Sequence, residues 1–256
     1  FPKGRAVSKN CPMGACAPLI SVMAMRPVAV ELAARLAEDL GLMVCDEPLA
    51  GTSRFVIEVN DRGLALRDCQ RPGLRALRVR DLPRHRAVTG RGLLGRALGK
   101  RSHSVMDATA GFGSDAIHCA ELGLEVIAIE RSPVVCALLK DRVQGLPVGE
   151  TRLRLSVKSG DSRQWLVELP PPDVVYIDPM FPGKENASAK PSKAQQLLRA
   201  LVGKDSDAVE VLQLACRRAR HRVVVKRPRH APPLTGEVHH QVLGRAVRYD
   251  VYLAGQ

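Results

Sequence analysis

The sequence predicts an α/β fold: a doubly wound, mostly parallel seven-stranded sheet with a C-terminal β-hairpin, preceded by a small N-terminal α/β appendage. Three observations carry this. Short Val- and Ile-rich runs alternate with helix-period segments throughout the second half of the chain. A glycine-containing turn joins the first of these strands to its helix. The last two strands are separated by a turn alone, which leaves no room for a crossover helix and requires antiparallel pairing.

The elements follow in chain order. Residues 1–26 carry Lys3, Arg5 and Lys9 ahead of an apolar run, Leu19 to Met25, but Pro12 and Pro18 interrupt it; a loosely ordered leader is predicted, with a start near Met23 or Met25 as the alternative. Val28, Leu32, Leu36 and Leu40 then recur every four residues behind Pro27 and ahead of Gly41, the pattern of an amphipathic helix with its apolar side on those four positions. Leu42 to Cys45, Arg54 to Val59 and Leu64 to Arg67 read as strands, the last two joined as a hairpin across Asn60-Asp61-Arg62-Gly63. Residues 67–101 hold eleven Arg or Lys against Asp68 and Asp81 alone, and read as a basic linker with an RNA-facing surface that includes Arg75, Arg78 and Arg80. The appendage and linker thus span 27–102, and the main domain 103–256. In the main domain the predicted strands are Ser104 to Thr109, Glu125 to Glu130, Leu153 to Val157, Val174 to Asp178, Arg222 to Val225, Val238 to Leu243 and Val247 to Leu253. Helices are predicted near 113–122, 133–143, 193–201 and 206–219.

Composition narrows the function classes. Across 256 residues, 39 basic and 26 acidic side chains leave a net charge of +13, which favours a polyanionic partner without separating RNA, DNA and an anionic membrane. No apolar run approaches the roughly 18 to 20 residues of a membrane span, so a soluble protein is predicted. Seven cysteines, an odd number without a CxxC pair, read as reduced thiols in a cytoplasmic protein. The histidines show no metal-ligand spacing with them, and no metal is expected.

Chemistry concentrates at two places. Asp107-Ala108-Thr109-Ala110-Gly111-Phe112-Gly113-Ser114-Asp115-Ala116 links a strand to a helix, with Gly111 and Gly113 where a backbone must turn tightly and let a ligand approach. Glu130 ends the next strand nineteen residues after Gly111, and a carboxylate there can accept both hydroxyls of a ribose. NAD and S-adenosylmethionine both satisfy that arrangement. The second place, Val174-Val175-Tyr176-Ile177-Asp178-Pro179-Met180-Phe181-Pro182, separates them: a buried strand running into an acid, a proline and an aromatic ring suits an exocyclic base amine better than a hydride carrier. The lone pair of such an amine is delocalised into its ring. Asp178 and a neighbouring backbone carbonyl, accepting its two N–H bonds, would favour a pyramidal nitrogen and aim the lone pair, while Phe181 stacks on the base. Residues 217–230 add seven Arg or Lys and no acid, and Lys226 and Arg227, at the C-terminal end of a strand, are predicted to meet RNA phosphate.

The motifs DATAGFGSDA (107–116), ERSPVVCALL (130–139), YIDPMFP (176–182), VVVKRP (223–228) and APPL (231–234), in that order, resemble the RsmJ-type ribosomal RNA small-subunit guanine-N2 methyltransferases. Weaker similarity extends back through GRGLLGRALG (90–99) towards Val28. Two departures stand out: Ser114, where the family usually has Arg, and TGRG at 89–92, where it is richer in glycine. The resemblance implies a class I, Rossmann-like fold that uses S-adenosylmethionine to methylate a guanine amine in small-subunit (16S) ribosomal RNA. By position it assigns Asp107, Gly111, Gly113, Ser114 and Asp115 to the cofactor loop, Glu130 and Arg131 to the ribose region, and Gly160 and Asp161 to the adenine side. Asp178, Pro179 and Phe181 fall where cofactor and acceptor amine meet. Two other readings remain: an adenine-N6 methyltransferase on DNA or RNA, and a noncatalytic RNA-binding assembly factor that keeps the fold.

Overall fold

Strand Val174–Ile177 shows how the larger sheet is built. All of its residues are buried; Val174 and Tyr176 join one apolar cluster, while Val175 and Ile177 join another. A strand buried on both faces needs cover on both, and that demand makes the architecture a three-layer one. The computed structural model of the protein describes residues 20–46, 53–84, 92–180, 192–203 and 205–255.

The N-terminal part comprises β1 (Ile20–Ala24), α1 (Val30–Leu40), β2 (Met43–Val44), β3 (Phe55–Asn60), β4 (Gly63–Asp68) and β5 (Leu77–Arg78), with 3-10 turns at Pro27–Ala29 and Val79–Asp81. Its sheet runs β2-β1-β3-β4-β5. Then come α2 (Gly92–Leu98), β6 (Ser104–Asp107), α3 (Ser114–Glu121), β7 (Glu125–Glu130), α4 (Pro133–Gln144), α5 (Glu150–Leu153), β8 (Leu155–Ser159), α6 (Ser162–Glu168) and β9 (Val174–Ile177). The chain ends with α7 (Lys193–Val202), α8 (Ala208–Arg218), β10 (Arg222–Pro228), β11 (His240–Leu243) and β12 (Val247–Leu253). The second sheet is seven-stranded, β11-β12-β10-β9-β6-β7-β8. Strands β6 to β10 pair in parallel, and β12 lies antiparallel between β10 and β11. From β6 the chain winds outward through β7 and β8, then returns to the other side of β6 for β9 and β10. The order therefore reverses at the carboxyl ends of β6 and β9, the place where an open α/β sheet leaves a crevice for ligands.

Side-chain alternation distributes the helices. Leu94, Ala97 and Leu98 of α2, Ala116 and Ile117 of α3 and Leu139 of α4 cover one face with Val105, Val126, Val224 and Val251. Leu166 of α6 and Val211, Leu212 and Ala215 of α8 cover the other. Helix α4 also turns Val134, Val135 and Leu138 towards the appendage, where they share a core with Val22, Phe55, Ile57 and Leu66. Two side chains of α4 fasten the same junction. Asp141 accepts from Arg80 Nη2 (2.7 Å) and from the Leu64 N–H (3.1 Å). Arg142, 2% exposed, donates to the carbonyls of Leu82 (3.2 Å), Pro83 (3.3 Å) and Phe112 (2.7 Å), and burial lowers its pKa to about 10, so it stays charged.

The predicted parallel sheet, terminal hairpin and 60–63 turn are present, with Asn60 opposite Gly63. Four local expectations are corrected. Residues 20–24 are not loose leader: β1 pairs in parallel with both β2 and β3, and Val22 is fully buried. The earlier residues of that leader, Lys3, Arg5 and Lys9 included, lie outside the described part. Helix α1 forms, and Leu36 and Leu40 of the expected side are half-buried against the appendage core. Its most buried residues are instead Ala33 and Ala37, with Ala29 just before it, while Val28 is 80% and Leu32 54% exposed. Small residues let the helix approach the sheet closely, and the apolar period overlaps that stripe only in part. The basic segment contains α2, whose Leu94, Ala97 and Leu98 belong to the core of the large sheet, so it is more than a linker. Finally, β8 begins two residues later than predicted because Leu153 ends α5.

Candidate active site

The loop after β6 is shaped by backbone demands. Ala108 N–H donates to Tyr176 O (2.9 Å) and Ala110 N–H to Ile129 O (2.9 Å), stitching the ends of β6, β7 and β9 together. Gly111 and Gly113 have φ of +54° and +77°, the left-handed region open to glycine. A Cβ on Gly113 would stand 2.3 Å from Leu139 Cδ1, so the turn and the close approach of α4 both require its absence. The loop ends at the N-terminus of α3, whose first N–H groups lack helical partners.

Glu130 braces this loop: its Oε2 accepts from Gly111 N–H (2.9 Å) and its Oε1 from Ser132 N–H (2.8 Å). Burial raises its pKa, opposed by those two N–H groups. The Arg131 N–H adds to these two, and a carboxylate, with about four lone-pair sites, keeps acceptor capacity beyond them for a ribose hydroxyl. The β8 end lies beside it, since Gly160, at φ +126°, donates its N–H to Glu130 O (3.0 Å). Asp161 caps α6 by accepting from Arg163 N–H (2.8 Å), and the Arg163 guanidinium holds its pKa down. Asp107 is buried at the end of β6 and accepts from Thr109 N–H (3.1 Å); burial pushes its carboxyl well above the usual range.

A connected polar group fills the crevice between α3, β9 and β10. Asp115 Oδ2 accepts from Tyr176 Oη (2.8 Å) and Lys226 Nζ (2.7 Å). Lys226 Nζ also lies 3.0 Å from Asp178 Oδ2. Burial works against the Lys226 charge, but Asp178 and Asp115 overrule it and hold the ammonium well above the ordinary lysine value. Thr109 Oγ1 accepts from the Asp178 N–H (2.7 Å), fixing the acid to the loop after β6. Crowding by protein raises the Asp178 pKa, Lys226 draws it down and Asp115 pushes it up again; even so, 40% of its side chain stays open. Pro179 is buried behind it. Asp205 accepts from Met180 N–H (2.6 Å) and pairs with Arg131, which also reaches Asp207 (3.0 Å).

The structure thus brings together Asp107, Gly111, Gly113, Asp115, Glu130, Gly160 and Asp178. Phe181 lies outside the described residues. Ser114 turns its Oγ to Arg142 (3.0 Å), and Arg131 turns to Asp205 and Asp207. The predicted phosphate pair is placed differently. Lys226 points into the crevice, and Arg227, 5% exposed, donates to Pro232 O (2.6 Å), because β10 continues past Val225 opposite Tyr249 and Arg248 of β12. In the appendage Arg75 is exposed, Arg78 pairs with Asp81 (3.4 Å) and Arg80 is held by Asp141. Sequence reasoning missed Thr109, Asp205 and the inward role of Lys226. Only Lys226 carried a signal, as a single cation following three valines in a buried strand.

Among the described residues no helix is long and apolar enough to cross a membrane, and no three His, Cys, Asp or Glu side chains gather as a metal-ligand group. A family described as "Putative SAM-dependent methyltransferase" matches residues 36–254. Two relatives carry the name ribosomal RNA small subunit methyltransferase J. That of Thioalkalivibrio sulfidiphilus is 43% identical over 63% of this chain and 68% of its own. That of Dechloromonas aromatica is 39% identical over 89% of this chain and 97% of its own. A solved SAM-dependent methyltransferase from Neisseria gonorrhoeae is 27% identical and superposes with a TM-score of 0.68, covering 92% of this chain and 97% of its own.

Proposed function

The chain belongs to this family of SAM-dependent methyltransferases, and from that premise we propose that it methylates the exocyclic N2 amine of a guanine in small-subunit (16S) ribosomal RNA. The observation that carries the reading is Asp178: a carboxylate held at the switch point of the sheet, braced by Thr109 and Lys226 yet open to the crevice. The names of the relatives support the RNA class. The open carboxylate supports an amine acceptor.

The residues present fit S-adenosylmethionine. Gly111 and Gly113 leave room for close approach, Glu130 keeps acceptor capacity for a ribose hydroxyl, and Gly160 with Asp161 borders the same edge. Bound there, the cofactor supplies an activated methyl group on its sulfonium. The work left to this chain is alignment and exclusion of water. Asp178 accepts an N–H of the amine and turns its lone pair; once the nitrogen carries the methyl group its proton becomes acidic, and the same carboxylate is placed to receive it. A paired guanine is extruded first, at a few kcal/mol. Phe181, by its position in the motif, stacks on the base. Exposed Arg75 contributes to RNA contact, and the free cysteines among the described residues fit a cytoplasmic setting.

The test is mass spectrometry of small-subunit RNA incubated with enzyme and labelled cofactor. N2-methylguanine is the expected product; N6-methyladenine would replace the assignment with the adenine reading, and cofactor binding without product would make the chain an assembly factor. Glu130→Ala is expected to weaken cofactor binding by about 1 to 3 kcal/mol in calorimetry, the loss of hydrogen bonds to a charged acceptor.

A further inference from the structure

Three acids from three elements converge at the crevice: Asp107 from the end of β6, Asp115 from α3 and Asp178 from the end of β9. The groups facing them are Tyr176 on β9, Tyr249 on β12, Cys119 on α3, Lys226 on β10 and, farther off, Arg199 on α7. Tyr176, Tyr249 and Cys119 are all held in their neutral forms by burial. Within hydrogen-bonding distance, Lys226 is the cation that meets the acids among the described residues, at 2.7 Å from Asp115 and 3.0 Å from Asp178. Its backbone is fixed by the β10 extension, where it pairs with Tyr249.

We propose that Lys226 is a positioning residue for methyl transfer: its ammonium, seated between Asp115 and Asp178, keeps the Asp178 carboxylate charged and turned towards the acceptor amine. The inference rests on the assignment of Asp178 as the group that orients that amine. Without Lys226, Asp178 would lose the ammonium 3.0 Å away and keep the acidic Asp115 as a neighbour. Loss of an opposite charge and the presence of a like one both disfavour the ionised form, so Asp178 would take up a proton at higher pH. A protonated Asp178 has an O–H that competes for the nitrogen lone pair it should leave free. The ammonium itself is no proton acceptor, since both of its acidic neighbours favour its charged form. It acts through Asp178.

The sign of the effect follows. Transfer needs ionised Asp178, so activity is lost as pH falls through its pKa, and removing the cation raises that pKa. Single-turnover rates on a small-subunit RNA fragment, measured against pH with saturating cofactor, should show the acid limb of Lys226→Met displaced upward by about one to three pH units. The rate at neutral pH should fall by at least tenfold. Lys226→Arg should return the limb towards wild type, because the charge is restored. A second readout needs no RNA: the Asp178 carboxyl carbon, labelled with 13C and identified by its loss in Asp178→Asn, is titrated by NMR in the cofactor-bound full chain. Its midpoint should rise in Lys226→Met, and in Lys226→Gln should the methionine variant fail to fold.

An unmoved midpoint in a folded variant overturns the proposal. So does a rate that drops equally at every pH, which would mark Lys226 as packing alone. If wild-type protein methylates no RNA base, the proposed function fails, while the NMR titration still decides whether Lys226 sets the charge of Asp178.

Discussion

Residues 67–101 and 217–230 look alike in the sequence, each a run of arginines and lysines with few or no acids, and the fold uses them in opposite ways. Most of the later run is turned inward, while Arg217 and Arg220 stay exposed. Arg218 donates to the carbonyls of Leu166 (2.8 Å) and Val167 (3.1 Å) at the end of α6, Arg222 to Ala97 O (3.4 Å), Lys226 to two acids, Arg227 to Pro232 O and Arg229 to Gly244 O (2.7 Å). The earlier run divides. Arg80 is tied to Asp141, whereas Arg71 and Arg75 stay exposed beside α7, with Arg71 donating to Gln196 (2.9 Å) and Arg75 O accepting from Lys193. Helix α7 in turn borders the glycine loop after β6, since a Cβ on Gly111 would lie 3.0 Å from Leu198 Cδ2. A cation count therefore does not locate an RNA surface. What locates it is which cations the protein leaves exposed at its surface.

The largest effect should come from the acid that the inward run serves. Asp178→Ala is expected to lower the single-turnover methylation rate by roughly a hundredfold or more, as for loss of one preorganised polar contact at a reacting centre. RNA affinity should change little, because phosphate contacts supply most of it. Asp178→Asn keeps one acceptor oxygen and should retain part of the rate. A wild-type rate in Asp178→Ala would remove the site and with it the functional meaning of the inward turn. Next in size is a structural effect. Arg218→Ala strips the last turn of α6 of hydrogen bonds from a charged donor, and the urea midpoint should report a loss of about 1 to 3 kcal/mol. Arg75→Ala, at an exposed site, should stay within about 0.5 kcal/mol of wild type. Equal losses from the two would erase the distinction between the runs.

The comparison also shows what the chain discloses before it folds. The parallel strands are legible because burial on both faces leaves near-continuous Val and Ile, as in Val174–Ile177 and in residues 223–225 of β10. The glycine loop is legible because tight turns restrict residue type, and Asp178 stands out as an acid that ends an apolar strand. Ile20–Ala24 was hidden: five residues of apolar strand behind interrupting prolines look like part of a leader until β3 is seen to pair with them. The buried stripe of α1 is legible only in part, at Leu36 and Leu40, because the alanines that permit close packing carry a weaker hydrophobic signal than the exposed Val28 and Leu32. Lys226 was misplaced for a related reason. Its type and strand position were plain, but its acceptor Asp115 lies 111 residues earlier, and only the fold brings the two together.

The smallest expected effect is the one that tests the comparison most directly, because it reads phosphate contacts and little else. Each contact to single-stranded RNA that is lost should make the slope of log K against log salt shallower by about 0.7, and each contact to a duplex by about 0.9. Arg71 and Arg75 sit on the appendage next to α7, and both are exposed. Arg71→Gln with Arg75→Gln should therefore flatten the slope by about one to two. Lys226→Gln with Arg227→Gln should leave it unchanged, since those cations already answer Asp115, Asp178 and Pro232 O inside the fold. The measurement is binding of a small-subunit RNA fragment across a salt series, with thermal unfolding checked for each variant. A slope that flattens for the Lys226 and Arg227 pair, and not for Arg71 and Arg75, would mean that the inward run opens to meet RNA and that the closed arrangement is a state the RNA displaces.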